Sequence, residues 1–510
     1  MNLLSIKGRN VKPTVQCVIG LVLLVAAASC ATADKPNKPN VLLILVDDLR
    51  PALGAYGDVT ALTPHIDRLA AKGMRFDRAY SNQAVCAPSR FNLLLGSRST
   101  SSGIYGFGQN FRDYYPDAVT LPQYFKRHGY HTESMGKVFH IGHNTYADEA
   151  SWSVPHHKDL VIEYVDRESK KEGFTREEAL FSNQPAQGLP RGLAWESPDV
   201  ADDAYADGRV AQRAVERLRD LKSNSDKPFF LAVGFARPHL PFSVPQKYWD
   251  LYDEDRLPLP QRTVRPKGAP PYAVKYGTEI DQYVPIPTNV TDEPFPDGLT
   301  RKLIHGYYAG VSYVDAQIGK VLDELAASGL DENTIVVLWG DHGYLLGEMG
   351  MWTKHVNYEL ANYIPLIISA PGVAQPGTHT AQLAETVDIY PTLVELAGLP
   401  TPELPQPFDG LSMVPVLRDP KARIRDHAYH CFPRGGRLGR AIRTDRYRLV
   451  EWKKIGDTTE TAEYELYDYQ YGPVEVKNIA EEQPEVRKTL QAILAQHPAP
   501  MPSRPQSPRH

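Results

Sequence analysis

The sequence has few cysteines and no concentrated positive charge. Its 510 residues contain four cysteines, Cys17, Cys30, Cys86 and Cys431, and the first two belong to an N-terminal leader. A disulfide framework is therefore excluded, although a single bridge between Cys86 and Cys431 stays open as an alternative. The formal net charge is −5 and no basic block stands out, so the composition gives no reason to expect nucleic-acid binding.

The apolar run at residues 18–28 is too short to span a bilayer and follows a basic segment, which is typical of a signal peptide. Two ends of this leader are compatible with the sequence. Ala27-Ala28-Ser29-Cys30 fits a lipobox with a lipid anchor on Cys30, whereas Ala31-Thr32-Ala33 fits ordinary cleavage. We therefore expect residues 1–33 to be a leader. The protein would be exported to the periplasm, to the cell surface as a lipoprotein, or to the medium.

Strand and helix patterns alternate over residues 38–415. Residues 41–46 form a continuous apolar run, as expected for a central strand that is buried on both faces. Thr63 and Pro64 begin a helix that Gly73 ends, and further apolar runs at 229–233, 334–339 and 365–368 follow or precede helical patterns. This alternation predicts an α/β fold whose sheet is mostly parallel and lies between helices. Sites in such folds collect at the carboxyl ends of the strands.

The C-terminal part of the chain has a different pattern. A proline-rich stretch at about 254–298 predicts a long surface segment. Short strand-like runs such as 447–452, followed by a helix at about 486–494, predict a smaller antiparallel α+β subdomain over 416–497. The last residues, 498–510, contain five prolines and no apolar periodicity, so they are expected to be disordered.

The segment Cys86-Ala87-Pro88-Ser89-Arg90, followed by Gly96, carries the most specific signal. It resembles the signature at which type I sulfatases convert a cysteine to formylglycine (3-oxoalanine). The usual Thr-Gly-Arg continuation is Leu95-Gly96-Ser97 in this chain. The resemblance implies that a formylglycine-generating enzyme modifies Cys86, that the hydrated aldehyde is the nucleophile, and that Arg90 holds this hydrate. The alternative is an unmodified buried thiol at the end of a loop.

Acidic pairs follow two of the predicted strands. Asp47-Asp48 comes after the strand at 41–46, and Asp341-His342 comes after the strand at 334–339. Adjacent carboxylates repel each other unless a cation lies between them, and their oxygens suit Ca²⁺ or Mg²⁺. Histidine is a softer ligand, so the residue types alone leave the metal open. The resemblance to sulfatases implies one Ca²⁺, with Mg²⁺ second, held by Asp47, Asp48, Cys86, Asp341 and His342.

Three further segments contain candidate catalytic residues. Gly136-Lys137-Val138-Phe139-His140 has two residues between Lys and His, an arrangement that resembles the iduronate-2-sulfatase branch of the family. By the same resemblance, Lys137 and Lys354 contact the sulfate, and His140 accepts a proton from the second hydroxyl of the hydrate. His239, in Arg237-Pro238-His239, protonates the leaving oxygen. An isolated lysine or histidine in a loop is otherwise more often a surface residue.

These motifs occur in family order over residues 38–470. The resemblance implies an alkaline-phosphatase-like fold and hydrolysis of sulfate esters, with a sulfated carbohydrate as substrate. Tyr363 stands where the family usually has arginine, so no role is assigned to that position. Two other functions remain open. One is a phosphatase or phosphodiesterase of the same superfamily, and the other is a non-catalytic glycan-binding relative.

The branch resemblance suggests a 2-O-sulfated uronic acid unit of a polysaccharide as the substrate. A uronate carboxylate needs a cation beyond those on the sulfate, and arginine binds carboxylates through two parallel hydrogen bonds. Arg434, Arg437 and Arg440 lie in a glycine-containing segment that we expect to be a loop near the site. The alternative for each arginine is a solvated basic turn.

Overall fold

In the computed structural model, residues 38–170, 173–224, 226–277 and 279–507 are described. The predicted leader, with Cys30, lies outside these ranges. Within them no helix combines the length and the apolar character needed to cross a bilayer. Cys86 and Cys431 are both buried and free, so the bridge between them is not formed.

The strands and helices have the following bounds. The strands are β1 Asn40–Val46, β2 Met74–Tyr80, β3 His131–Gly136, β4 Trp195–Glu196, β5 Phe229–Phe235, β6 Phe242–Ser243, β7 Thr334–Gly340, β8 Tyr363–Ile364, β9 Leu366–Ser369, β10 Thr378–Glu385, β11 Ala428–Arg434, β12 Arg437–Arg443, β13 Tyr447–Lys453 and β14 Glu463–Asp468. The helices are α1 Pro64–Lys72, α2 Cys86–Leu95, α3 Ser99–Ser102, α4 Leu121–Arg127, α5 Arg167–Lys170, α6 Arg176–Phe181, α7 Ala206–Asn224, α8 Gln246–Trp249, α9 Asp297–Ala327, α10 Glu359–Asn362, α11 Ile389–Leu396, α12 Val414–Arg418 and α13 Pro484–Leu494.

The central sheet is mixed and mostly parallel, which confirms the predicted fold class. Its strand order is β10-β2-β9-β7-β1-β5-β3, with β8 paired to β2. Strands β7, β1, β5 and β3 run parallel to one another, as do β2 and β10. Strand β9 is antiparallel to both of its neighbours, an orientation that its short apolar run did not predict.

The apolar run of β1 is continuous because the sheet has a core on each face. Alternate side chains of a strand point to opposite faces. Leu42 and Ile44 belong to one buried cluster, which is built with α1, α7 and α9. Leu43 and Leu45 belong to the other, which is built with α2, α4 and α11. The predicted helices on both sides of the sheet are therefore present.

A smaller antiparallel sheet, β11-β12-β13-β14, follows in the chain. Helix α13 packs on one of its faces through Leu490 and Leu494. The other face packs against residues that follow β7, among them Met351 and Tyr358. A buried Glu359 also receives ion pairs from Arg443 of β12 and Arg448 of β13. The C-terminal α+β part is thus joined to the region that carries the site.

The prediction of a disordered tail is wrong for residues 498–507. The backbone amides of Met501, Arg504 and Ser507 donate hydrogen bonds of 2.8 Å to the carbonyls of Thr100, Gly103 and Gly108. Prolines pay little conformational entropy on ordering, because their φ is already fixed. Composition alone did not reveal this because the partners lie in a distant segment of the chain.

Candidate active site

Four neighbouring parallel strands end at the same edge of the sheet and deliver most of the predicted residues there. Asp47 follows β1, Lys137 follows β3, and Asp341 follows β7. His239 comes four residues after the end of β5. Because these strands are adjacent and parallel, residues almost 300 positions apart in the sequence become neighbours. The prediction that chemistry collects at strand ends explains this convergence.

Cys86 is the first residue of α2, at the edge of the same cluster. Its Sγ lies 3.3 Å from Nε2 of His342, and the residue is 1% exposed. Burial, together with the charge of Asp47, raises the pKa of the thiol well above its usual value. The helix ends at Gly96 with φ of 67°, where a Cβ would meet the ring of Phe408 at 2.4 Å. This close approach explains why the signature keeps a glycine at that position.

Four of the five predicted metal ligands form one compact group. Ligand atoms of Asp47, Asp48, Cys86 and His342 all lie within 4.8 Å of one another. Asp48 has a left-handed φ of 56°, an uncommon conformation for this residue type that often marks a functional site. Its amide donates to Oδ1 of Asp341 at 3.1 Å, and its carbonyl accepts from Tyr307 at 2.8 Å.

Asp341 lies beside this group and completes its negative charge. Its Oδ1 also accepts from the amide of His342 at 2.9 Å and lies 3.6 Å from Nε2 of that residue. Burial and the neighbouring Asp47 raise the pKa of Asp341 well above its usual value. Three buried carboxylates in contact would repel one another strongly without positive charge between them.

Three buried cations surround the carboxylates. Arg90 lies 3.2 Å from Oδ1 of Asp47 and 3.0 Å from Oδ2 of Asp341. Lys137 is paired with Asp47, and Lys354 lies 3.0 Å from both carboxylate oxygens of Asp48. Burial alone would raise the pKa of Asp47, but the charges of Lys137, His239 and Arg90 hold it well below its usual value.

Two predicted histidines, His239 and His140, face the same space. Nδ1 of His239 lies 2.5 Å from the carbonyl of Leu240, which can only accept, so this nitrogen carries a proton. Its Nε2 has no hydrogen-bond partner among the described residues. Nε2 of His140 lies 3.2 Å from Nδ1 of His143, a residue that the sequence interpretation missed. Burial and the charge of Lys137 lower the pKa of His140 well below its usual value.

Glu279 is the second residue that sequence reasoning missed. Its Oε2 lies 2.5 Å from Lys354, and its Oε1 lies 2.8 Å from Nε2 of His239, without hydrogen-bond geometry in the second case. Burial raises the pKa of Glu279, but the two cationic partners outweigh it and hold the pKa well below its usual value. The residue comes from the proline-rich segment, which is therefore part of the site and not merely a surface excursion.

These side chains open into a cavity of about 360 Å³. Its lining consists of Cys86, Phe107, His143, Arg176, Glu177, Leu180, Phe181, His239, Glu279, Gln282 and His355. The volume lies within the range of small-molecule sites. The nucleophile candidate is thus at the bottom of a cavity whose wall includes helix α6.

The three arginines predicted to bind substrate differ in their surroundings. They lie in a hairpin of β11 and β12 and not in a loop, and its turn is Gly435-Gly436, with φ of 57° and 75°. Arg440 is a buried residue whose cross-strand partner is Glu451, at 2.6 Å. Arg437 lies 3.5 Å from Glu463. Neither lines the cavity, so the prediction for these two arginines is wrong.

Arg434 is placed differently from the other two arginines. Its guanidinium donates to the carbonyl of His355, a residue of the cavity wall, and stacks 5.0 Å from the ring centroid of Phe432. It forms no ion pair with an acidic side chain among the described residues. Burial lowers its pKa to about 10.

Comparison with known proteins accounts for this constellation. The Sulfatase family profile matches residues 39–399. The chain belongs to the sulfatase family. The profile described as N-sulphoglucosamine sulphohydrolase, C-terminal, matches residues 347–499. Iduronate 2-sulfatase of Mus musculus is 36% identical over 393 residues, which cover 71% of this chain and 69% of that protein.

Solved structures with the same fold include other hydrolases. One protein, in complex with its substrate D-glucosamine-2-N,6-O-disulfate, has a TM-score of 0.68 and 21% identity, covering 90% of this chain and 97% of that one. A phosphonate monoester hydrolase from Silicibacter pomeroyi has a TM-score of 0.69 and 22% identity, covering 90% and 95%. At such identities the likeness shows the fold alone. The predicted alkaline-phosphatase-like architecture is confirmed.

The family resemblance read from the motifs is therefore confirmed. This sulfatase is a type I enzyme close to the iduronate 2-sulfatase branch, and it is a sulfuric ester hydrolase. The two departures from the family signature, at Leu95 and Ser97, are buried, and Ser97 donates to the carbonyl of Pro407. Both side chains thus pack behind the nucleophile helix and not in the cavity.

Proposed function

We propose that this sulfatase removes sulfate from a sulfated carbohydrate by means of a formylglycine derived from Cys86 and one divalent cation, most readily Ca²⁺. The observation that carries the proposal is the position of Cys86. It lies at the N-terminus of α2, in contact with His342 and within ligand distance of Asp47 and Asp48. The positive end of a helix favours anions, and a sulfate enters here as an anion.

The residues present suit a divalent cation. Carboxylate oxygens of Asp47, Asp48 and Asp341 are hard ligands, and their buried like charges call for positive charge among them. His342 adds a nitrogen, and position 86 adds oxygen ligands once the cysteine is converted. Bound there, the cation would polarise a sulfate oxygen and favour the ionised form of the nucleophilic hydroxyl.

The remaining steps follow from the chain's own residues. Lys137 and Lys354 bring two buried positive charges to the place where negative charge grows on the sulfate oxygens. His239 has Nδ1 fixed by Leu240, so its Nε2 is the nitrogen that can protonate the leaving alcohol. His140, whose lowered pKa keeps it neutral, is suited to accept the proton of the second hydroxyl.

The comparison of an aryl sulfate with an aryl phosphate tests the assignment. We expect kcat/KM for 4-nitrophenyl sulfate to exceed that for 4-nitrophenyl phosphate by at least about a hundredfold, because one cation and a formylglycine suit a sulfate monoester. The enzyme should be produced together with a formylglycine-generating enzyme. A preference for the phosphate would favour the phosphatase alternative, which the phosphonate monoester hydrolase neighbours support less well than the sulfatase relatives do. Absence of turnover on both esters and on sulfated sugars would favour the glycan-binding alternative.

We further propose that the substrate carries a carboxylate, as a 2-O-sulfated uronic acid does, and that Arg434 binds it. Support comes from the contact of Arg434 with His355 on the cavity wall and from its lack of an acidic partner among the described residues. A buried cation without such a partner is costly unless a ligand supplies the negative charge. The branch relationship to iduronate 2-sulfatases points to the same substrate class.

Replacing Arg434 tests the carboxylate contact. Arg434→Ala should lower kcat/KM on a 2-O-sulfated uronic acid disaccharide well over tenfold, since losing a hydrogen-bonded charge pair costs about 2–4 kcal/mol. Turnover of 4-nitrophenyl sulfate, which has no carboxylate, should change little. Arg437→Ala in the same hairpin is the matched control, because Arg437 is paired with Glu463. Equal losses on both substrates would refute the specificity role and leave the sulfatase assignment intact.

A further inference from the structure

Helix α6 lies directly over the candidate nucleophile and catalytic bases. Its last residue, Phe181, packs edge-on against the ring of His239 at 5.6 Å, and the ammonium of Lys137 lies 5.0 Å from its ring centroid. Four residues of this short helix, Arg176, Glu177, Leu180 and Phe181, line the cavity. A substrate whose sulfate reaches Cys86 therefore has the rest of its sugar ring beside α6.

Two adjacent glutamates of α6 have different surroundings. Glu178 completes a capping box, in which its carboxylate accepts from the amide of Thr175 at 2.8 Å, and it also pairs with Lys170. Glu177 is 4% exposed, and its Oε1 has no hydrogen-bond partner among the described residues. A buried oxygen without a partner costs free energy unless a ligand supplies the missing hydrogen bond. Because Glu177 also lines the cavity, that ligand is a molecule in the cavity.

We propose that Glu177 is a specificity-determining residue that hydrogen-bonds a hydroxyl group of the substrate's sugar ring. This inference rests on the proposed function, since the sugar reaches Glu177 only if its sulfate is bound at Cys86. A hydroxyl group both donates and accepts, as a carboxylic acid does, so the two groups can exchange a pair of hydrogen bonds. An aryl sulfate offers no such hydroxyl.

The protonation state of Glu177 suits an anionic substrate. Burial, with the negative charges of Glu279 and Asp281, raises its pKa to about 8, while Arg176 and Lys354 oppose this rise. Tyr164 and Tyr283 also face it, and Glu177 contributes to raising the pKa of each. Below pH 8 the side chain is neutral and does not repel a sulfated, carboxylated sugar. Above pH 8 it ionises, so binding of the sugar should weaken.

Two substitutions at position 177 test the proposal. Glu177→Gln resembles the neutral acid in shape and hydrogen-bonding capacity, whereas Glu177→Leu removes both polar atoms. Glu168→Gln, at an exposed position on the neighbouring helix α5, is the matched control. KM should be measured from pH 6.5 to 9 for a 2-O-sulfated uronic acid disaccharide and for 4-nitrophenyl sulfate, and the ratio of the two values reported. The ratio removes pH effects common to both substrates.

We expect Glu177→Leu to raise the ratio about tenfold at pH 7, as the loss of one hydrogen bond to a buried group predicts. Glu177→Gln should keep the ratio within about threefold of the wild type and abolish its rise above pH 8. An unchanged ratio in Glu177→Leu would overturn the proposal, and so would an increase in Glu177→Gln equal to that in Glu177→Leu. Failure of the wild type to hydrolyse either sulfate would instead refute the proposed function itself.

Discussion

Cys86→Ala should abolish sulfatase activity while the protein stays folded. Removing the nucleophile of a covalent mechanism lowers kcat by about 10⁴–10⁶-fold. The substitution deletes one sulfur atom at a buried position, a change expected to cost about 1 kcal/mol of folding free energy. Turnover of 4-nitrophenyl sulfate, together with the thermal unfolding midpoint, separates loss of chemistry from loss of fold.

Two further variants make this experiment decisive. Cys431→Ala alters the other buried free cysteine and should keep activity, so it controls for the loss of a thiol. Cys86→Ser restores a hydroxyl of the kind that a phosphatase uses. It should remain inactive on the sulfate if a formylglycine is required. The mass of the peptide that contains residue 86 should show the aldehyde in active wild-type protein. An active Cys86→Ala variant, or an active wild type that carries only the thiol, would contradict the assignment.

Much of the fold could be predicted because the local pattern and the global environment agree. A strand buried on both faces must be apolar throughout, and β1, β5 and β7 show this directly in the sequence. The direction of a short edge-proximal strand such as β9 depends on its neighbours, and its four residues carry no signal for it. The tail was misjudged for a related reason. Its hydrogen-bond partners near Gly103 are visible only in three dimensions.

The site divides along the same line. Residues that directly follow a buried strand, such as Asp47 and Asp341, could be assigned because the parallel topology brings strand ends together. Glu279 could not, since a single glutamate in a proline-rich segment has no periodicity or motif around it. Arg440 was wrongly assigned because three arginines spaced by three residues suggest an exposed cationic turn. Only the strand register shows that Glu451 lies opposite Arg440.

Removing the divalent cation should have an effect as large as removing the nucleophile's function. Exhaustive chelation should lower turnover of 4-nitrophenyl sulfate at least about a hundredfold, because both charge stabilisation and nucleophile activation depend on the cation. Adding Ca²⁺ back should restore activity, and Mg²⁺ should restore less. Metal analysis of the untreated enzyme should find one ion per chain. Full activity in a metal-free preparation would contradict the proposed site.

The ligands themselves can be tested without measuring activity. Asp48→Asn and Asp341→Asn each remove a negative charge from the buried cluster and should reduce the bound metal to well below one ion per chain. They should also remove the stabilisation that Ca²⁺ gives, which is about 2.7 kcal/mol when the ion is present at a hundred times its dissociation constant. Asp323→Asn, at a carboxylate that is 57% exposed, should leave both quantities unchanged. If the two cluster variants kept a full equivalent of metal and the same thermal shift with Ca²⁺, the ion would have to bind elsewhere. The buried carboxylates would then owe their stability to Arg90, Lys137 and Lys354 alone.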